Sequence, residues 1–213
     1  MKKTLIVAAI AASLALAGQV FATSFVDWAA QGTTGLQLAD GTALPIGVNV
    51  YLVALQTGRT EADVVTDFGT SIATVFSADL KIYATTTVGI NTSTAGTFAA
   101  PTASSTDTSF DGRQIYYVAI DTAAPGTATQ IGMWRGDSTA WKFPGVTAAP
   151  PSNQTATDMD DANTSVLGSL VTAGQNDWGY SRAGQLVLVP EPSTTVLVAI
   201  GLLGAIVLAH RRR

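Results

Sequence analysis

The stretch IGVNVYLVAL at residues 46–55 shows the clearest strand pattern in the sequence. Alternation predicts that one face of this strand is apolar and points into a core, and that face holds Ile46, Val48, Val50, Leu52 and Ala54. A second run, IYYVAI at 115–120, is rich in the aromatic and branched side chains that suit a pleated surface. The segments VYLVALQT (50–57) and IYYVAIDT (115–122) resemble each other, but they are too short to establish a repeat. We interpret them as two core strands that need similar surroundings.

Shorter apolar runs separated by turn signals occupy much of the remaining chain. A turn at 122–126, TAAPG, precedes the returning strand QIGMW at 130–134. Further strands are predicted at 33–38, 80–85, 139–143 and 185–189. Short strands with many threonines and glycines between them favour an all-β fold, an antiparallel β-sandwich of the jelly-roll-like kind.

One helix is predicted after the first strand. Thr60 can cap its N-terminus, and Asp63 stands three residues later at the capping-box position. Its apolar face holds Val64, Val65 and Phe68. Gly69 is predicted to end this helix, and a short helical turn is expected within 71–76.

Two segments rich in threonine, serine and alanine, at 91–112 and 145–165, are predicted to be loops outside the core. They contain three matches to the Asn-x-Ser/Thr glycosylation pattern, at Asn91, Asn153 and Asn163. In a chain with so many threonines such matches arise by chance, so glycosylation is a secondary hypothesis.

The N-terminus has the organisation of a secretory signal peptide. Lys2 and Lys3 form a short positive region, and an uncharged apolar run follows at 5–17. This run is shorter than the ~20 residues that a membrane-spanning helix needs. The sequence therefore predicts a cleavable signal helix at 1–22, cut by signal peptidase after Ala22, with Ala17 as the second candidate position.

The exported part, residues 23–189, is acidic and free of cysteine. Between residues 23 and 190 there are six basic and fourteen acidic side chains, which give a net charge of −8. Such a surface argues against nucleic acid as a partner. Without disulfides the domain must be held by its core alone. A chain of this length buries enough surface to do so as one domain.

The C-terminal segment combines a rigid motif, an apolar helix and a basic end. Residues 196–209 are uncharged and span about 21 Å as a helix, or about 26 Å when 193–195 are included. That length is marginal for a ~30 Å hydrocarbon layer. We therefore expect a single transmembrane helix at about 194–209 that inserts only transiently. Clustered positive charge stays on the cytoplasmic side of a membrane. The end of the helix that carries Arg211, Arg212 and Arg213 is therefore expected to lie in the cytoplasm.

Before the helix stands a short proline motif at Pro190, Glu191 and Pro192, whose two prolines enforce an extended backbone that a processing enzyme can bind. This motif, the apolar helix and the terminal arginines, in that order, resemble the PEP-CTERM sorting signal of exported bacterial proteins. The resemblance covers 190–213. It implies recognition and cleavage by exosortase, a membrane-embedded cysteine transpeptidase-like enzyme.

Proteins with this signal resemble one another in a signal peptide, few or no cysteines and Ser/Thr-rich bodies. They are associated with Gram-negative bacteria that make exopolysaccharide, biofilm or floc. The resemblance therefore implies a transient inner-membrane anchor, followed by release to the cell surface or extracellular matrix.

The exported domain lacks the usual catalytic side chains. Its sequence has no cysteine, and the one histidine of the chain is His210, inside the sorting tail. Ser-His-Asp and Cys-His mechanisms and imidazole metal sites are thereby excluded from the domain. Carboxylate pairs remain, and the candidates are Glu61 with Asp63 or Asp67, and Asp107 with Asp111. We interpret these acids as solvated surface and predict neither an enzyme nor a cofactor.

The segment DMDDANTS at 158–165 offers oxygen ligands for calcium at Asp158, Asp160, Asp161 and Asn163. It departs from the calcium-binding loop pattern, because Asn163 stands where that pattern requires glycine. An acidic loop without an ion is the preferred interpretation.

Aromatic side chains offer a second function. A sugar-stacking surface would form if three tryptophans were exposed on one face of the domain, namely Trp134, Trp141 and Trp178. Core packing is, however, the commoner fate of tryptophan.

The sequence thus predicts a non-catalytic structural protein of the cell envelope or extracellular matrix, associated with biofilm or exopolysaccharide. The first alternative is a carbohydrate-binding module for exopolysaccharide, and the second is a carboxylate-dependent hydrolase.

Overall fold

Six strands form the central sheet, built on the two runs that alternate most clearly in the sequence. The computed structural model describes residues 23–148, 152–172 and 182–189. Within them, the strands are β1 (Ser24–Ala30), β2 (Thr34–Gln37), β3 (Asn49–Leu55), β4 (Leu80–Thr87), β5 (Phe98–Ala99), β6 (Ala103–Ser105), β7 (Tyr116–Ile120), β8 (Gln130–Arg135), β9 (Gln154–Asp158), β10 (Thr164–Leu167), β11 (Ser169–Thr172), β12 (Arg182–Gln185) and β13 (Val187–Leu188). The central sheet has the order β10-β8-β7-β3-β4, and β13 pairs with β8 beside β10. Every pair in it is antiparallel.

Two smaller sheets account for the other strands of the described ranges. In the first, β1 lies between β5 and β6 on one side and β9 on the other, and in the second β12 lies between β11 and β2. The β1–β9 and β12–β2 pairs are parallel. The prediction of a mostly β fold with antiparallel sheets is confirmed. The two parallel pairs were not predicted.

Both faces of the central sheet are covered, because β3 and β7 are apolar on both sides. Leu52 and Tyr117 point into one buried cluster, which they share with Trp28 of β1 and Phe98 of β5. Their neighbours, such as Val53 and Val118, point into a second cluster on the opposite face. Strands buried on both faces occupy the centre of a sheet, which is where these two lie.

A buried tyrosine links the central sheet to the first small sheet. The Tyr117 hydroxyl accepts a hydrogen bond from the Ala29 backbone N–H (3.2 Å) and lies 2.7 Å from the Thr157 hydroxyl. Burial raises the pKa of this phenol above its ordinary value, so it stays neutral. β1 and β9 are thereby both tied to β7 by one side chain.

The helix predicted after the first strand is present as α1 (Glu61–Phe68). The Thr60 hydroxyl accepts from the Asp63 N–H (3.3 Å), and the Asp63 carboxylate accepts from the Thr60 N–H (2.8 Å), which is the predicted capping box. A second short helix, α2 (Ile72–Thr74), continues as a π turn over Val75–Asp79. None of the helices within the described ranges has the length and apolarity that crossing a membrane requires.

Two residues predicted to be buried are exposed instead. Ile46 is 59% exposed, because Gly47 adopts a positive φ of 90° and turns the chain before β3 begins at Asn49. Val65 is 51% exposed, whereas Val64 and Phe68 pack into the second cluster. Successive helix residues differ by about 100° in direction, so Val64 and Val65 cannot share one narrow face.

The segments predicted to be loops, 91–112 and 145–165, also contribute strands and core, which corrects that prediction. The first contains β5 and β6 and buries Phe98 and Phe110. The second contains β9 and buries Met159. These strands are polar on their outer faces, and their partners lie far along the chain, so periodicity did not reveal them.

Two predicted strand segments take other forms, and β1, β10 and β11 are further strands that were not predicted. Residues 139–143 form a 3-10 turn (Thr139–Trp141) followed by an isolated bridge from Lys142 to Gln114. The segment at 185–189 is divided between the end of β12 and β13. β1 was missed, although its buried residues alternate along the strand from Ser24 to Ala30.

A glycine at the turn between β10 and β11 gives a prediction about stability. Gly168 has a φ of 80°, and a Cβ there would overlap the backbone carbonyl oxygen of Gln185. Gly168→Ala is expected to destabilise the mature protein by about 2–3 kcal/mol, because backbone strain and a backbone clash combine. Chemical denaturation measures the change.

Gly58→Ala is the matched control, since Gly58 has a φ of 81° and nothing within 4 Å of its would-be Cβ. That variant bears the strain of positive φ alone, about 1 kcal/mol. Equal losses in the two variants would contradict the close approach of Gly168 to Gln185.

Candidate functional site

The residues predicted to direct sorting lie outside the described residues. They are Ala22, Pro190, Glu191, Pro192, Arg211, Arg212, Arg213 and the helix at about 194–209. The structure does describe β13, the strand directly before the proline motif. It therefore shows how the chain is held to the sheet just before that motif.

The last strand is held to the central sheet up to the residue before the motif. In β13, Val187 lies opposite Ile131 and Leu188 lies opposite Gln130 of β8. Backbone hydrogen bonds flank the pair, from the Leu186 N–H to the Gln37 carbonyl and from the Val189 N–H to the Thr129 carbonyl (both 2.9 Å). Hydrogen bonds to the sheet thus continue to residue 189, and Pro190 is the next residue in the sequence.

Other strand ends and turns gather at the same end of the sheet. Antiparallel pairing places the start of β3, the loop 121–129 and the end of β13 at the same end of the central sheet. The Asn49 side-chain amide donates to the Ala123 carbonyl (2.6 Å). Within the loop, the Asp121 carboxylate accepts from the Thr129 N–H (2.9 Å) and from the Gln130 N–H (3.1 Å). The loop is therefore fastened both to β3 and to itself.

Ion pairs gather at the opposite end. Arg59 pairs with Asp67 and with the fully buried Asp79. Arg135 pairs with Glu61 (2.7 Å). Burial raises the pKa of the Asp79 carboxyl, although the guanidinium beside it opposes that rise. These pairs fasten α1 and the π turn to the sheet.

The predicted carboxylate pairs have structural contacts. The Glu61 carboxylate accepts from the Tyr116 hydroxyl (2.9 Å) as well as from Arg135, and Asp63 caps α1. Asp107 accepts from the Lys81 ammonium (2.7 Å), which holds the pKa of that carboxyl below its ordinary value. Asp111 accepts from the Val146 N–H (3.1 Å). Each of these carboxylates therefore has a hydrogen-bond or ion-pair partner within the domain.

The acidic segment at 158–161 forms a turn beside β1. The Asp158 carboxylate accepts from the Asp160 N–H (3.0 Å) and from the Thr34 hydroxyl (3.3 Å), as a cap for the 3-10 turn Met159–Asp161. Burial raises the pKa of Asp158. In the part of the chain that the structure describes, no group of three or more acidic or histidine side chains is arranged to hold a metal ion.

Two of the three tryptophans proposed for sugar stacking are in the core, which corrects that prediction for them. Trp134 and Trp141 are both fully buried. The Trp134 indole N–H donates to the Ser169 carbonyl (3.0 Å), and the Trp141 ring packs 4.9 Å from the Tyr117 ring. A buried indole has no face to offer a sugar ring. Trp178 lies outside the described residues.

The glycosylation candidates differ in accessibility. Asn153 is only 7% exposed and its amide donates to the Thr23 carbonyl (2.9 Å), so a sugar cannot be attached in the folded domain, which corrects that prediction. Asn91 and Asn163 are exposed. Their glycosylation stays a prediction.

Comparison with known proteins identifies the C-terminal segment. Residues 188–213 match the family model described as the PEP-CTERM protein-sorting motif. No curated protein and no solved structure matches the chain. The motif marks an exported protein that is sorted to the cell surface and processed by exosortase, as the sequence predicted.

Proposed function

From the sorting motif at 188–213, we propose that residues 23–189 form a non-catalytic structural protein of the cell envelope or extracellular matrix, associated with biofilm exopolysaccharide. Signal peptidase cuts after Ala22, and the helix at about 194–209 inserts transiently into the inner membrane. Exosortase then cuts within 190–193. The single observation that carries this proposal is the motif match directly behind the last strand of the domain.

The contacts of the acidic residues support a structural function. Glu61, Asp63, Asp67 and Asp107 cap a helix or form ion pairs. A hydrolase would instead need two carboxyl groups opposed across a cleft.

We also propose the jelly-roll-like sandwich as the finer architecture of the domain. The support is the first buried cluster, which packs Val26 and Trp28 of β1 against Leu52 of β3 and Tyr117 of β7. The Trp28 and Tyr117 rings meet edge to face at 5.7 Å. Two sheets that share one core in this way make the inner layer of a sandwich.

Intact-mass spectrometry of the protein from its native host tests the sorting proposal. The surface fraction is expected to contain chains that begin at Thr23 and end within residues 190–193. As a control, the same gene in a host without exosortase should yield membrane-bound chains that retain Arg213. Arg213 in the surface fraction of the native host would overturn the proposal.

A further inference from the structure

Large apolar side chains are exposed at both ends of the central sheet. Among the described residues, those with the largest exposed fractions are Ile46 (59%), Leu188 (57%), Val65 (51%) and Ile82 (47%). Ile46 and Leu188 lie at the end where the chain leaves the sheet. Val65 and Ile82 lie toward the other end, on α1 and near the start of β4.

The exit surface is defined here as residues 45–46, the loop 123–129 and Leu188. The strand order places β8 and β7 between β13 and β3. At about 4.8 Å per strand, Leu188 and the start of β3 are about 14 Å apart, with the loop between them. Ala123, Ala124 and Gly126 of that loop are exposed. These residues therefore lie along the same end of the sheet, with Leu188 on one side of the loop and Ile46, next to Gly89, on the other.

Charge is absent from this surface. None of the residues that form it is acidic or basic. Two carboxylates border the surface. Asp121 accepts from the Thr129 and Gln130 N–H groups. The exposed Asp40 accepts from the Thr42 N–H and follows Ala39, whose N–H donates to the Gln130 side chain. The basic residues of the domain flank the opposite strand ends, and they are Arg59, Lys81, Arg113, Arg135, Lys142 and Arg182.

The proline motif begins at the residue after Val189. Val189 is hydrogen-bonded to Thr129. The chain from the Val189 Cα to the Ser193 Cα can span at most about 14 Å. Any enzyme that binds residues 190–193 while β13 is paired must therefore come within about 14 Å of Val189, at the Leu188 end of the exit surface.

We propose that the exit surface docks on the outward face of exosortase while the tail is processed. This inference rests on the proposed sorting function. Ile46 and Leu188 are the apolar contacts, and the uncharged loop 123–129 lies between them. An anionic lipid surface is bound best by basic residues, and the exit surface has none, so a protein partner is favoured over lipid.

Aspartate substitutions at matched exposed positions test this proposal in the full chain and the native host. The double variant Ile46→Asp/Leu188→Asp is expected to slow removal of the tail about tenfold, because charge is placed in an apolar contact. The control Val65→Asp/Ile82→Asp adds the same charge at similarly exposed positions and is expected to be processed at the normal rate. Pulse labelling followed by mass analysis gives the ratio of tail-bearing to tail-free chain over time.

Further measurements separate the alternatives. Trypsin resistance of the extracted chains checks folding, and the milder double variant Ile46→Val/Leu188→Val should keep the normal rate. Equal slowing by both aspartate pairs would overturn the proposal. So would binding of the mature domain to vesicles of phosphatidylglycerol and phosphatidylethanolamine that Ile46→Asp/Leu188→Asp abolishes, because lipid would then be the occupant. An unprocessed wild-type chain would instead contradict the sorting function itself.

Discussion

Replacing Trp134 by alanine is expected to lower the free energy of unfolding by about 3–5 kcal/mol, the usual cost of removing a large buried aromatic side chain. The indole is fully buried and contributes to the first core cluster. It lies against Gly132 and Gly184, where a Cβ would overlap it. The alanine variant therefore leaves a cavity bordered by two glycines that have no side chain to fill it.

Urea denaturation of the mature protein, monitored by circular dichroism, measures this change in the free energy of unfolding. Trp134→Phe keeps most of the buried ring but removes the hydrogen bond to the Ser169 carbonyl, so an intermediate loss is expected. The control Val65→Ala changes an exposed side chain and should stay within about 0.5 kcal/mol of wild type. A loss below about 1 kcal/mol for Trp134→Ala would show that the indole is not a core element, and would revive the sugar-stacking hypothesis.

The double variant Pro190→Ala/Pro192→Ala is expected to abolish removal of the tail, so that the chain accumulates with Arg213 still present in the membrane fraction. Proline restricts its own φ and pushes the preceding residue to an extended conformation. Alanine removes both constraints and lets the segment next to the predicted helix become helical. Mass analysis of the membrane and surface fractions measures the outcome.

Pro101→Ala provides the matched control, because Pro101 is exposed and far along the chain from the motif. Its tail removal should proceed normally. If the Pro190→Ala/Pro192→Ala chain reached the surface fraction without its tail, the prolines would not be recognition elements.

Local sequence signals predicted those parts of the fold that depend on neighbouring residues. The runs at 46–55 and 115–120 became β3 and β7, with the strand at 46–55 beginning three residues late. The Thr60–Asp63 capping box formed as predicted, since its hydrogen bonds join residues three apart. Such contacts need no information from the rest of the chain.

Pairings between distant residues were not visible in the sequence. β9 is polar, and it became a strand because it lies parallel to β1, with Phe25 opposite Gln154. Phe98 and Phe110 entered the core from a segment whose composition indicated a loop. The composition of a segment is an average over its residues, whereas burial in the core depends on individual side chains.

The candidate site shows the same division. The proline motif was read from the sequence, because its recognition depends on the order of residues along the chain. Whether Trp134 and Trp141 face water, and that Ile46 and Leu188 lie at one end of a sheet, depended on strand order and register.

By itself, the sequence determined the sorting signal, the two central strands and the capped helix, because local chain chemistry specifies each of them. Only the tertiary structure decided which aromatic side chains are buried, which strands pair in parallel, and that the last strand is held to the sheet up to the motif. Those features arise from packing between residues that are distant in sequence, where the free energy of burial depends on the partner more than on the residue itself.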